Sequence, residues 1–290
     1  MILFSVGALS SLSLPPFNLF IINFFTFSIF FILLFQKLLI KPNKKAFFFY
    51  GWLFGFGYFL TNIYWITISL TFDENFNFLI PVALIIIPAF LAVFYGIVTF
   101  VFCIFNFRDV TSAFFFFSLL LGLTEYIRGT ILTGFPWNLI IYSFSENINF
   151  LSFLSVIGTY SFNLLVISFF TVPAVYILRK SKKEILVCIL FLLLPILLLT
   201  YSTSYKKNFS NKKIIKNSYT IRVISSNINL DRFHKNIKTE NIIEELINLS
   251  SPNPEKKTFF LWPEGIVPDT YQDQFILYND LFEDNFNENH

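Results

Sequence analysis

Three short stretches place ionisable or interfacial side chains where an apolar chain does not need them. FLWPEG puts Glu264 directly behind Pro263, which ends any preceding strand because proline has no N–H for a ladder. A carboxylate at a strand's carboxyl end can act as a general base. It can equally cap a helix or sit in a loop. LTEYIRG puts Glu125 and Arg128 three residues apart, on one face of a helix. Ionised groups inside a membrane are costly and face a cavity or one another. The pair therefore reads as a polar cavity wall or lipid-headgroup contact, or as a mutually neutralising structural pair. GFPWN follows, with Trp137 in a rigid aromatic loop; tryptophan is common at any membrane interface. Cys103 and Cys188 lie in apolar runs without a second Cys or a His at ligand spacing. They read as small buried residues, and neither a disulfide nor a metal site is expected.

The background that carries these residues is strongly apolar. Of 290 residues, 55% are hydrophobic, 21% are aromatic and only 13% are charged. An ordinary soluble domain is about a quarter charged, so an integral membrane protein is expected. Charge is uneven: residues 1–200 hold 10 Lys/Arg and 6 Asp/Glu, and residues 201–290 hold 11 and 12. The chain thus divides near Tyr201 into an apolar and a polar part. A net charge of +3 gives no ground for a nucleic-acid partner. The N-terminal stretch lacks a basic flank and a cleavage signal, and reads as a first span rather than a removable signal peptide.

A span needs about 20 mostly apolar residues. Seven stretches are candidates, at about 2–14, 18–36, 46–70, 79–105, 112–132, 150–178 and 184–201. The first is short for a crossing. Gly51 and Gly55 in the third stand at the small-xxx-small spacing of close helix packing. Lys37, Lys41, Lys44 and Lys45, then Arg108, then Arg179, Lys180, Lys182 and Lys183 fall in alternate loops, and the intervening loops carry only Asp73, Glu74 or Glu146. This parity predicts a cytoplasmic N-terminus with everything after about residue 201 outside the cytoplasm. Lys206 to Lys216 then lie outside against the rule, which long translocated segments obey poorly.

The expected organisation is a bundle over 1–201, a solvated linker over 202–218 and a polar unit over 219–290. Residues 219–228 alternate as a strand. Ile242, Ile243, Leu246, Ile247 and Leu249 stand at helical spacing behind Thr239 as N-cap, and TFFLW reads as a second strand. Strand, helix, strand in so short a length is a parallel crossover. Ligands of such sheets sit outside the strands' carboxyl ends, where Glu264 falls. The acidic tail after it shows no further strand.

Taken together, the segments resemble those of the bacterial apolipoprotein N-acyltransferase family. The matching pieces are Pro16-Phe17, GWLFGFGYFLTNIYWITISL, EYIRGTILTGFPWNLIIYS, IGTYSFNLLV, SSNINLDRF and FLWPEGIVPD. The resemblance implies a polytopic α-helical membrane bundle followed by the beginning of an α/β (αββα) nitrilase-like domain, truncated here. It implies a Glu, Lys and Cys triad working without a cofactor. The Cys takes an acyl chain from a phospholipid and passes it to the N-terminal diacylglyceryl-cysteine amine of an apolipoprotein, at the bacterial inner membrane. Glu264 matches the triad's general base. Nothing in 1–290 matches the Lys or the Cys, so the chain reads as the N-terminal portion of such an enzyme, inactive alone. Phe233 stands where the family commonly has a tryptophan. Glu125, Arg128, Trp137 and Phe233 are the candidate cavity or lipid contacts. Two other readings are a non-enzymatic transporter-like or scaffold bundle with a small outer domain, and a nitrilase-like enzyme acting on small amides.

Overall fold

The computed structural model describes residues 1–40, 42–132, 134–210, 219–227, 238–267 and 271–290. The chain divides into two compact units, Met1–Lys212 and Lys213–His290.

Among the described residues the regular structure of the first unit is all helical. Its elements are α1 (Ile2–Ser10), α2 (Ile22–Ile40), α3 (Lys44–Asn62), α4 (Ile80–Phe105), α5 (Val110–Thr130), the short α6 (Ile148–Leu151) and α7 (Leu154–Ile157), α8 (Thr159–Leu178) and α9 (Lys182–Ser210). Among the described residues five helices are long and apolar enough to cross a membrane, and six if α3 and the 3-10 turn after it count as one bent span. The protein is a polytopic helical membrane protein. The expectation of seven spans differs from the structure in three places. The stretch 2–14 is an apolar helix only from Ile2 to Ser13, well short of a 30 Å hydrocarbon core at 1.5 Å per residue. The stretch 46–70 bends by 48° between α3 and the 3-10 segment Tyr64–Thr71. The stretch 150–178 is broken at Gly158, whose φ of 76° halts α7 and releases α8 at Thr159. At the other end α9 runs on to Ser210, so residues 202–210 are helix rather than linker; residues 211–218 lie outside the described residues.

Local chemistry fixes the helix starts. Asn43 caps α3 by accepting from the Lys45 and Ala46 N–H groups, and Asp109 caps α5 by accepting from Thr111 and Ser112. Between the helices the core is largely phenylalanine: the Phe30 ring stacks on Phe54 at 4.1 Å, and Phe117 meets both Phe30 and Phe31. Glycines let backbones touch, as the small-residue spacing predicts. A Cβ on Gly51 would stand 2.1 Å from the Tyr95 carbonyl oxygen of α4, and one on Gly57 would stand 2.1 Å from the Phe4 oxygen of α1.

The second unit contains β1 (Thr220–Val223), α10 (Thr239–Ser250), β2 (Thr258–Leu261) and α11 (Asn279–Asn285). The strands pair in parallel, Thr220 with Thr258 through Val223 with Leu261, joined through α10 as the sequence predicts. The helix buries Ile242, Ile243, Leu246 and Ile247 of the expected stripe, while Leu249, its fifth member, is exposed near the helix's carboxyl end. Thr239 is its first helical residue rather than its cap; Lys238 takes that position without a side-chain bond. Arg222 of β1 donates to the Ser250 and Ser251 carbonyls, closing the helix's carboxyl end. The expectation of an αββα domain is met here only by two four-residue strands and their crossover.

Candidate functional site

In the bundle, the chemistry gathers around the carboxyl end of α5. Glu125 and Arg128 each expose 1% of their surface, and an Arg128 guanidinium nitrogen donates to the Glu125 carboxylate. The second carboxylate oxygen accepts from the Tyr95 hydroxyl of α4 at 2.8 Å. The guanidinium then reaches forward: Nη1 donates to the carbonyls of Phe135 at 2.6 Å and Trp137 at 3.1 Å, while its carbon lies 5.3 Å from the Phe59 ring centre. Tyr58 of α3 donates to the next carbonyl, Asn138, at 2.6 Å. A buried charge is tolerable only when paired and hydrogen-bonded, and this one is both. Both side chains are enclosed, and Arg128 holds the 134–138 loop by its backbone. Gly134 (φ 81°) and Asn138 (φ 62°) supply the left-handed turns that aim those carbonyls back at α5.

What the loop presents is a groove of about 580 Å³, walled by Pro16, Phe17, Trp65, Pro136, Trp137 and Tyr142 among others. Trp137 is 56% exposed, and its ring meets Trp65 edge to face at 6.0 Å. The wall is largely apolar, with the hydroxyl residues Ser11, Thr61 and Ser145 and the amides of Asn62 and Asn138 set into it. Their Nδ2 atoms are enclosed and make no hydrogen bond, and an unpaired buried donor carries a cost that a ligand oxygen would relieve. The sequence reading found Trp137 and the α5 pair. It did not single out Tyr58, Tyr95, Trp65, Asn62 or Asn138, although a tyrosine or asparagine inside an apolar run is itself a signal.

In the second unit, Glu264 lies in a turn three residues past the end of β2, is exposed, and is followed by Gly265 at φ 65°. Beside it, a cavity of about 440 Å³ opens at the carboxyl ends of both strands, lined by Val223 to Asn227 and by Leu261, Trp262, Pro263 and Ile266. The indole nitrogen of Trp262 donates to Ser250 Oγ at 3.0 Å, which fixes the residue from which the Pro263–Glu264 turn departs. Phe233 lies outside the described residues. Cys103 and Cys188 are buried within α4 and α9.

Fold and site together define a polytopic membrane protein with an aromatic groove at one end of its bundle and a carboxylate displayed by a parallel crossover unit. Residues 6–172 match the family model described as the apolipoprotein N-acyltransferase N-terminal domain, and the chain belongs to the apolipoprotein N-acyltransferase family. Proteins named apolipoprotein N-acyltransferase in Rhodopseudomonas palustris and Rickettsia prowazekii are similar to it. The first is 30% identical over 90% of this chain and 50% of the relative; the second is 32% identical over 91% and 52%. One from Allorhizobium ampelinum is 29% identical over 90% and 50%. The chain spans about half the length of these curated relatives.

Proposed function

We propose that this chain supplies the membrane bundle and the general base of an N-acyltransferase that moves an acyl chain from a phospholipid to the N-terminal diacylglyceryl-cysteine amine of an apolipoprotein. The observation that carries the reading is Glu264, exposed in the turn between Pro263 and Ile266, two residues that line the cavity at the strands' carboxyl ends, where a parallel sheet takes its ligands. In this reading Glu264 takes the thiol proton as a cysteine attacks the lipid ester. The thioester forms as the lysolipid leaves, its alkoxide taking that proton from Glu264; the amine then attacks the thioester, gives its proton to the departing thiolate by way of Glu264, and leaves amide and free thiol. The cysteine and the oxyanion-stabilising lysine would come from the part of the relatives that the chain does not span, since Cys103 and Cys188 sit inside helices. The second unit is then the start of a nitrilase-like domain facing the periplasm, and the bundle sits in the inner membrane with its N-terminus in the cytoplasm. The Trp65–Trp137 groove would receive the lipid, its apolar wall against the acyl chains and the Asn62 and Asn138 amides against the glycerol-ester oxygens.

The test joins residues 1–290 to the remainder of the Rickettsia prowazekii relative and follows thioester formation from a labelled phospholipid. Glu264→Gln should leave the protein folded and slow acylation by about 10² to 10⁴, the usual worth of a positioned proton acceptor. Acylation at the unsubstituted rate would remove Glu264 from the mechanism.

A further inference from the structure

The connection between α3 and α4 is built for surroundings other than water. Residues 64–79 form two 3-10 segments, Tyr64–Thr71 and Glu74–Leu79, joined through Phe72 and Asp73. Runs of 3-10 helix beyond three or four residues are uncommon, and these hold eight and six. Tyr64, Trp65, Ile68, Phe72, Phe76 and Phe78 are all exposed, by 40% to 71%. The hydroxyls turn the other way: Thr67, Ser69 and Thr71 donate to the carbonyls of Tyr64, Ile66 and Ile68, each at 2.7 Å. A backbone that closes its own hydrogen bonds, with side chains that bond back to it, is what a segment leaving water requires. Apolar display on this scale marks a surface that meets a membrane or another protein. Two observations choose the membrane. The display continues a lipid-facing surface, since α4 is long and apolar enough to cross a membrane and exposes Val82, Ile85, Ile86 and Phe90 directly after Phe78. Charge agrees: no Lys or Arg occurs between Lys45 and Arg108, and Asp73 and Glu74 are the only ionisable acids in 64–79.

We propose that residues 64–79 lie in the headgroup and upper acyl layer of the leaflet at this end of the bundle. Ile68, Phe72, Phe76 and Phe78 dip about 5–10 Å among the lipids, as the apolar side of an interfacial segment does, and the Asp73–Glu74 joint turns to water. The partner is zwitterionic phospholipid: interfacial segments drawn to anionic lipid carry Lys and Arg on their polar side, and this one has neither. Trp65 ties the segment to the groove, where its ring meets Trp137, so that wall stands at lipid depth. The surface does not depend on acyl transfer being the reaction, and an inactive protein would still seat it in the leaflet.

The experiment places the full chain, residues 1–290, in phosphatidylcholine vesicles, with Cys103→Ala and Cys188→Ala as background and a polarity-sensitive fluorophore on one new cysteine at a time. Labels on Ile68→Cys and Phe76→Cys should emit at shorter wavelength than one on Glu74→Cys and be quenched by a nitroxide carried high on a lipid acyl chain. They should also be about tenfold less accessible to aqueous iodide than the Glu74→Cys label, as burial in the headgroup boundary requires. Added anionic lipid should change none of this. Phe72→Asp with Phe78→Asp should move the Ile68→Cys label toward water; both side chains already stand at the surface, so helix content by circular dichroism should hold. Equal access of iodide to all three positions would overturn the proposal. So would shielding without nitroxide quenching, the mark of a protein cover, shielding that grows with the protein-to-lipid ratio, the mark of a second copy, or shielding that needs anionic lipid. Lipid contact at 68 and 76 without acylation would sink the proposed reaction and leave this surface standing.

Discussion

Replacing Gly51 by alanine tests the closeness of α3 and α4 directly. The added Cβ would meet the Tyr95 carbonyl oxygen at 2.1 Å and Thr99 Oγ1 at 2.3 Å, where real Cβ atoms essentially never come nearer than 3.0 Å. Neither obstacle can swing aside. One is helix backbone; the other is a hydroxyl that bonds the Phe47 carbonyl of α3 at 2.5 Å. The helices must therefore part by about 1 Å, which forfeits a quarter to a half of the dispersion energy along the seam and stretches the Thr99–Phe47 bridge. Alanine's better helix propensity returns about 1 kcal/mol, against overpacking costs of about 1–3 kcal/mol in cores that can adjust and more where the contact is backbone. A net loss of about 2 kcal/mol corresponds to a fall of about 4–8 °C in Tm for a unit of this size. Gly96→Ala on the facing helix is the control. The three atoms nearest its Cβ all belong to the Phe48 ring, the first at 2.8 Å, and a partly exposed ring can rotate away. Thermal unfolding in detergent, read by circular dichroism, should place Gly96→Ala within about 3 °C of the parent and Gly51→Ala clearly below it. An unchanged Gly51→Ala, or a larger loss at Gly96, would refute the backbone-contact reasoning.

Arg128→Met should cost about 3–5 kcal/mol, because it leaves the enclosed Glu125 carboxylate without its counter-charge, whereas Glu125→Leu with Arg128→Met together should recover much of that loss. A double-mutant cycle of melting temperatures checks it. Asp109→Ala should cost about 1 kcal/mol through loss of the α5 cap. Partial burial pushes the Asp109 carboxyl up, but the hydrogen bonds from Ser112 and Thr111 outweigh it and hold the group below its ordinary value. Its contribution is therefore complete above the ordinary carboxylate range near pH 4 and is lost as pH falls through the lowered folded value. The stability gap between parent and Asp109→Ala should narrow from pH 6 to pH 3; a gap constant across that range would refute the assignment.

Hydropathy and spacing made the bundle legible, because lipid exposure demands apolar runs whatever the tertiary detail. The exact course of two spans was not legible, because Ile63 and Gly158 break helices through backbone torsions that a sum of side-chain hydropathies does not register. The stripe on α10 predicted its buried face correctly, since Ile242, Leu246 and their neighbours have one solvent-shunning side to offer. The Glu125–Arg128 pair was visible as a spacing, but its task was not: the groups it holds are the main-chain carbonyls of Phe135 and Trp137, which every residue type carries alike. The groove was equally silent, assembled from Pro16, Trp65 and Trp137, which lie far apart in the chain. Glu264 could be placed at a strand end from Pro263 alone, and that is where its turn lies.

The way the 134–138 loop is anchored separates frame from tip. Arg128 and Tyr58 grip three carbonyls of the loop, 135, 137 and 138, and ask nothing of the side chains at 136 and 137. Substitutions at Trp137 can reshape the groove wall while the loop's path stays fixed, so the lining is free to change with whatever the groove must hold. Substitutions at Arg128 have no such freedom: they release the frame, and every residue on it moves at once.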